Sequence, residues 1–157
     1  MPTVTEHPPV KPIIKHEFKA PLDMPETVAE LKRIPVPQVA LTVAPTPLLG
    51  TWVNCDAATR SLVRLEITAS GKDVFVHAFG ACHPTVCDWK KVPAMVFADN
   101  VCSTPAVAFT AQYKFNFLDA LIVGRLEFGA LIIETFNHFT DGSGRADYNT
   151  VEFMSKK

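Results

Sequence analysis

From residue 48 onward, apolar residues recur with a period of two rather than 3.6. β-Branched and aromatic runs are broken by short turn signals, the mark of successive strands. Eight strands are predicted, over 49–55, 61–69, 73–81, 92–98, 104–115, 118–127, 130–139 and 147–155. The breaks include DAAT, SGK, the longer HPTVCDWKK, ADNVCS, a point near Asn116, Gly129 and DGSGRAD. Most are short enough to join antiparallel neighbours. Eight strands joined in sequence predict an up-and-down meander, and closing it into a barrel removes both exposed edges.

Alternation assigns the faces. Val63, Leu65 and Ile67 are expected inside, against Arg64, Glu66 and Thr68. In 73–81 the aromatic set Phe75, His77 and Phe79 is expected inside, although Val74, Val76 and Ala78 make the other face apolar too. Val107, Phe109, Tyr113 and Phe115 form the inward set of the fifth strand, and Ile122 and Leu126 that of the sixth. Val151 and Phe153 are expected inside in the last. Strand 130–139 reads both ways. Its faces are Ile132, Glu134, Phe136 and His138, or Leu131, Ile133, Thr135, Asn137 and Phe139.

The first third is different. Ten of the 13 prolines precede residue 49, whereas all seven glycines and both tryptophans follow it. Proline lacks the N–H that a sheet ladder needs, so 1–47 is read as an extended arm and 48–157 as the barrel domain. The arm holds one helix candidate, 23–34, with Asp23 as N-cap, Glu26 completing a capping box and Pro35 as stop. Val36, Val39, Leu41 and Val43 make it apolar enough to dock, in cis or on a second copy, so a homo-oligomer through the arm is one expectation.

Composition narrows the function. Fifteen basic against 16 acidic side chains leave a net charge of −1, which does not suggest a nucleic-acid face. No apolar run is long enough to span a membrane as a helix. The opening MPTVTEHPPVKP has no apolar h-region, so a cytoplasmic location is expected. On that basis Cys55, Cys82, Cys87 and Cys102 are expected as free thiols. In the loop Cys82-His83-Pro84-Thr85-Val86-Cys87-Asp88-Trp89, two alternatives stay open: a local disulfide, or zinc on Cys82, His83 and Cys87, for which the usual second ligand pair is missing. No cofactor is implied.

The string Leu49-Gly50-Thr51-Trp52-Val53-Asn54 resembles the first strand of the calycin group: lipocalins, fatty-acid-binding proteins and avidins. That resemblance implies a Trp52 that closes one barrel end. Lipocalins set an Arg from near the last strand over this Trp; here the chain offers Lys156 and Lys157, with Arg145 in the preceding loop. GTWVNCDAATR, VHAFGACHPTVCDW and FTDGSGRADYNTVEF are also similar to a family of small uncharacterised bacterial proteins, over about 49–155. That family brings no activity. Its usual glycine after C-D-W is Lys90 here.

An apolar, aromatic lumen suits a small hydrophobic or aromatic molecule. Trp52, Phe75, His77, Phe79, Phe109, Tyr113, Phe136 and His138 are the expected lining. The alternative is a cofactor-free cyclase or isomerase folding a polyketide- or terpene-like substrate, with His77, Tyr113 or Glu134 polarising it. A third reading is an assembly module with a filled barrel. The loop Thr140–Arg145 is a glycine-rich hairpin rather than a phosphate cradle, since a strand follows it, and Ser143 has no nucleophile elbow.

Overall fold

The computed structural model describes residues 41–157. The expected helix at 23–34, and most of the arm, lie outside these residues. Eight strands follow one another: β1 (Gly50–Asn54), β2 (Leu62–Ser70), β3 (Asp73–Gly80), β4 (Cys87–Ala98), β5 (Ala106–Lys114), β6 (Leu118–Glu127), β7 (Ala130–Phe139) and β8 (Tyr148–Lys156). Each pairs antiparallel with the next, and β8 returns to β1, so the meander closes into a barrel with no free edge. The expected strands are present. One boundary moves: β4 starts at Cys87, not at residue 92.

Three β-bulges explain part of the correction the face assignments needed. Each adds one residue to one strand, and every side chain beyond it then swaps faces. On β2 the extra residue is Val63, since Leu62 pairs with Gly80 and Arg64 with Phe79. Leu62 therefore shares the inner face with Leu65 and Ile67, in place of Val63. On β5 the extra residue is Val107, because Phe97 pairs with Ala108 and Ala98 with Ala106. The fully buried position there is Ala106. On β4, Trp89 and Lys90 together oppose Ala78. Before that bulge Cys87 and Trp89 share the inner parity; after it Val92, Ala94 and Val96 do. The broken alternation is what made 87–91 read as loop. Lys90 sits at φ 69°, a left-handed conformation that glycine adopts without strain.

The core fills the barrel at the end where β1 begins. Leu48, Leu65, Val76, Phe109, Ile122, Leu131, Ile133 and Met154 are fully buried. Each such side chain contributes about 1.5–3 kcal/mol relative to exposure. Gly124 lies opposite Phe109 across the β5–β6 ladder, and the Phe109 ring occupies the space a side chain there would need. A turn over residues 45–48 closes this end: Trp52 Nε1 donates to the Leu48 carbonyl at 2.8 Å, and Lys156 Nζ stands 5.4 Å from the Trp52 ring centre. The chain leading in is pinned by Ala44, whose N–H donates to Thr104 O at 2.6 Å and whose carbonyl accepts from Ala106 N–H at 2.9 Å. Among the described residues, no helix is long and apolar enough to cross a membrane.

Two face assignments are reversed. In β3 the inner face is Val74, Val76 and Ala78, so the Phe75, His77 and Phe79 set points outward. Phe79 stays covered there because His77 stacks on it at 4.3 Å and the Arg64 guanidinium lies 3.9 Å above its ring. In β8 the inner face is Thr150, Glu152 and Met154, while Val151 and Phe153 are 53% and 56% exposed. The ambiguous β7 turns Leu131, Ile133, Thr135 and Asn137 inward and Glu134, Phe136 and His138 outward.

Candidate functional site

The opposite end of the barrel is a cup. Its volume is about 990 Å³, above the ~300 Å³ that ligand pockets need. The wall combines the upper ends of the strands with the loops that join them. Asn54, Arg60, Ser61, Asn137, Thr150 and Glu152 are among its polar groups, and Trp89, Leu118 and Tyr148 among its apolar surface.

Hydrogen bonds set several of these groups in place. Asn54 ends β1 on the same face as Trp52. Its Nδ2 donates to Leu62 O at 2.8 Å and its Oδ1 accepts from Asp56 N–H at 2.8 Å, which fixes the start of the 55–61 loop. Ser61 and Thr150 hydroxyls meet at 3.3 Å, tying that loop to β8. Thr150 in turn donates to Glu152 Oε2 at 3.4 Å. Glu152 is 6% exposed and Asn137 5%. Across from Thr150, the Thr135 hydroxyl is buried with no hydrogen-bond partner among the described residues. The lumen thus changes along its axis, from aliphatic at Leu131 and Met154, through Glu152 beside Ile133, to hydroxyl and amide at Thr135, Thr150 and Asn137.

The other side of the cup is the 81–89 segment. Cys82 and Cys87 are joined as a disulfide, which corrects the expectation of free thiols there. Both sulfurs are thereby withdrawn from metal binding, so the Cys82, His83 and Cys87 zinc set does not exist in this state. Among the described residues no group of three His, Cys, Asp or Glu side chains is arranged to hold a metal. Cys55 and Cys102 are free and exposed. The His83–Pro84 peptide is cis.

Trp89 is set by Tyr113, edge-on at 5.4 Å, and Phe115 at 5.3 Å. Tyr113 also repairs the β4 bulge. Its hydroxyl accepts from Ala78 N–H at 3.1 Å, and the carbonyls of Val76 and Lys90 lie 2.9 and 3.0 Å away to take its proton. The phenol stands where the ladder partner of Ala78 would have been. Burial pushes its pKa from 10.0 up to about 12, against the Ala78 N–H, which favours the phenolate.

The expected site residues are therefore dispersed. Trp52 seals the closed end, and Phe109 and Tyr113 lie in the packed lumen below the cup. His77 faces outward, 2.5 Å from Asp88 Oδ1. The Lys90 ammonium, then His77 and the Lys90 N–H, hold the Asp88 carboxyl well below the usual carboxylate range. Glu134 is on the outer face of β7, where Asn149 Nδ2 donates to it at 3.1 Å. His77, Tyr113 and Glu134 do not converge. Phe136 and His138 border a separate outer groove of about 600 Å³, together with Asp119, Asp147 and Tyr148. There His138 Nδ1 meets Asp147 Oδ2 at 2.7 Å, a hydrogen bond that raises the pKa of His138 and lowers that of Asp147. None of the eight expected lining residues borders the cup.

The residues that sequence reasoning missed are Asn54, Ser61, Thr150 and Glu152. The β1–β8 register gives Thr150 and Glu152 the lumen parity that Met154 has, which the sequence alone does not show. No protein-family model matches the chain, and no curated protein or solved structure matches it.

Proposed function

We propose that the barrel is a binding protein for a small molecule, held in the cup at its open end rather than along its length. The cup itself carries this reading: a wide concavity with a packed floor, apolar walls and a few convergent polar groups. The polar lining adjusts the ligand class from purely hydrophobic to amphipathic, with an apolar body against Trp89 and Leu118 and a polar end toward Glu152 and Asn137. Support for a calycin-like ancestry comes from the G-x-W strand, from Trp52 bonded to Leu48 at the closed end, and from Lys156, which stands over that Trp as the Arg of lipocalins does.

The cyclase or isomerase alternative, with His77, Tyr113 or Glu134 polarising the substrate, would be favoured by their convergence on one cavity. They face three different surroundings, and the Tyr113 hydroxyl is engaged by backbone. The assembly reading has one observation in its favour. The outer face of β6–β8 exposes Leu121, Phe136, Val151 and Phe153.

Native mass spectrometry of freshly purified protein tests the binding reading, with a fragment screen followed by NMR as its second arm. The expected result is a retained small-molecule mass that is lost on denaturation, or fragment shifts clustered at Asn54, Trp89 and Asn137. A screen that moves no cup residue overturns the proposal.

A further inference from the structure

Glu152 is the feature of the cup that packing does not explain. Strand β8 turns a carboxylate inward and sets Val151 and Phe153, apolar on both sides of it, toward solvent. Inside, its cross-strand neighbour is Ile133, which is fully buried. Among the described residues its one hydrogen-bond partner is the Thr150 hydroxyl, at a long 3.4 Å. Among the described residues every ion pair within 4.0 Å lies elsewhere, so no Lys, Arg or His neutralises it. A buried carboxylate is normally paired or saturated by hydrogen bonds, because its lone pairs lose water. Glu152 borders the cup and has acceptor capacity to spare.

The charge around the cup has the same sign. Its charged lining is Arg60 against the carboxylates of Asp56 and Glu152, a net charge of −1. Asp56 is occupied with the Ala58 N–H at 2.9 Å. The aromatic surfaces of Trp89 and Tyr148 also border the opening, and aromatic faces attract cations.

We propose that the ligand of the cup carries a protonated amine on an apolar or aromatic body, with Glu152 as its counter-ion. This rests on the cup being a ligand site. The ammonium donates to Glu152 Oε1 and Oε2, a charge-assisted bond about twice as strong as a neutral one. The body lies against Trp89 and Leu118. Anionic ligands are repelled by the same carboxylate.

Three probes with one body separate the claims: phenethylamine, 2-phenylethanol and phenylacetate. They are titrated into the full chain by calorimetry and by NMR of the Asn54 and Asn137 side-chain amides. Phenethylamine is expected to bind at least about tenfold more tightly than the alcohol, the scale of one charge-assisted bond, with phenylacetate weakest. Glu152→Gln is expected to reduce the amine to the alcohol's affinity while leaving the alcohol within about twofold. Equal binding of the amine and the alcohol, or amine binding unchanged in Glu152→Gln, overturns the amine assignment and leaves the cup as a site. Silence from all three probes overturns both. The wild-type comparison decides the matter even where Glu152→Gln fails to fold.

Discussion

Replacing Tyr113 by Phe removes one oxygen from the least exposed part of the β3–β4–β5 wall. That oxygen accepts from Ala78 N–H at 3.1 Å and sits 2.9 and 3.0 Å from the Val76 and Lys90 carbonyls. Ala78 is fully buried and has no ladder partner on β4, because the bulge skips it. Without the phenol its N–H is orphaned, at a cost of about 1–3 kcal/mol, and the donated bond adds about 1 kcal/mol more. The expected loss is about 2–4 kcal/mol, a fall in Tm of roughly 10 °C for a domain of this size. Urea unfolding followed by far-UV circular dichroism measures it, and near-UV circular dichroism reports whether Trp89 loses its fixed setting. A loss under about 0.5 kcal/mol would refute the idea that the phenol completes the bulge. The same phenol gives a pH test. Its folded pKa of about 12 exceeds the ordinary 10.0, so the neutral form contributes stability below pH 10 that is lost as pH rises through 12. Spectroscopic titration of Tyr148→Phe, which leaves Tyr113 as the lone tyrosine, is expected to show that late ionisation.

Three further outcomes are expected. Gly124→Ala drives a Cβ into the Phe109 ring and costs about 1–3 kcal/mol or more in urea unfolding; a neutral result would mean that the lumen is not packed at that level. Thiol titration of unfolded, unreduced protein gives two reactive thiols, Cys55 and Cys102, rising to four after reduction; four from the outset would remove the disulfide from the cup wall. The Asp147 carboxylate holds the pKa of His138 above its ordinary 6.5, so NMR of Asp147→Asn is expected to show it fall. With His138 raised and Asp147 lowered, the pair's contribution is lost as pH rises through the folded pKa of His138. It is lost again as pH falls from 3.8 through the folded pKa of Asp147.

The strand positions were legible because period-two patterning and turn residues are local. The faces were less so. A face assignment assumes that the greasier side points in and that parity runs unbroken. Parity failed at the bulges, at Val63, Lys90 and Val107, none of which has a sequence mark as plain as glycine, while the greasier-side assumption failed on β3 and β8, which carry no extra residue. β3 is apolar on both sides, and its outer aromatics are covered by Arg64 and His77 rather than by the core. β8 misled because its inner face carries the polar Thr150 and Glu152, so the more hydrophobic side, Val151 and Phe153, is the outer one. The disulfide was one of the readings of the 82–89 loop, but spacing alone does not distinguish it from two thiols.

Among the described residues, Leu48 and Trp52 stopper the base of the barrel, with packed layers above them. On the proposed reading, a molecule held in the cup enters and leaves by its mouth, between the disulfide loop and the 55–61 loop, so a contact on that rim would set its dwell time in both directions at once.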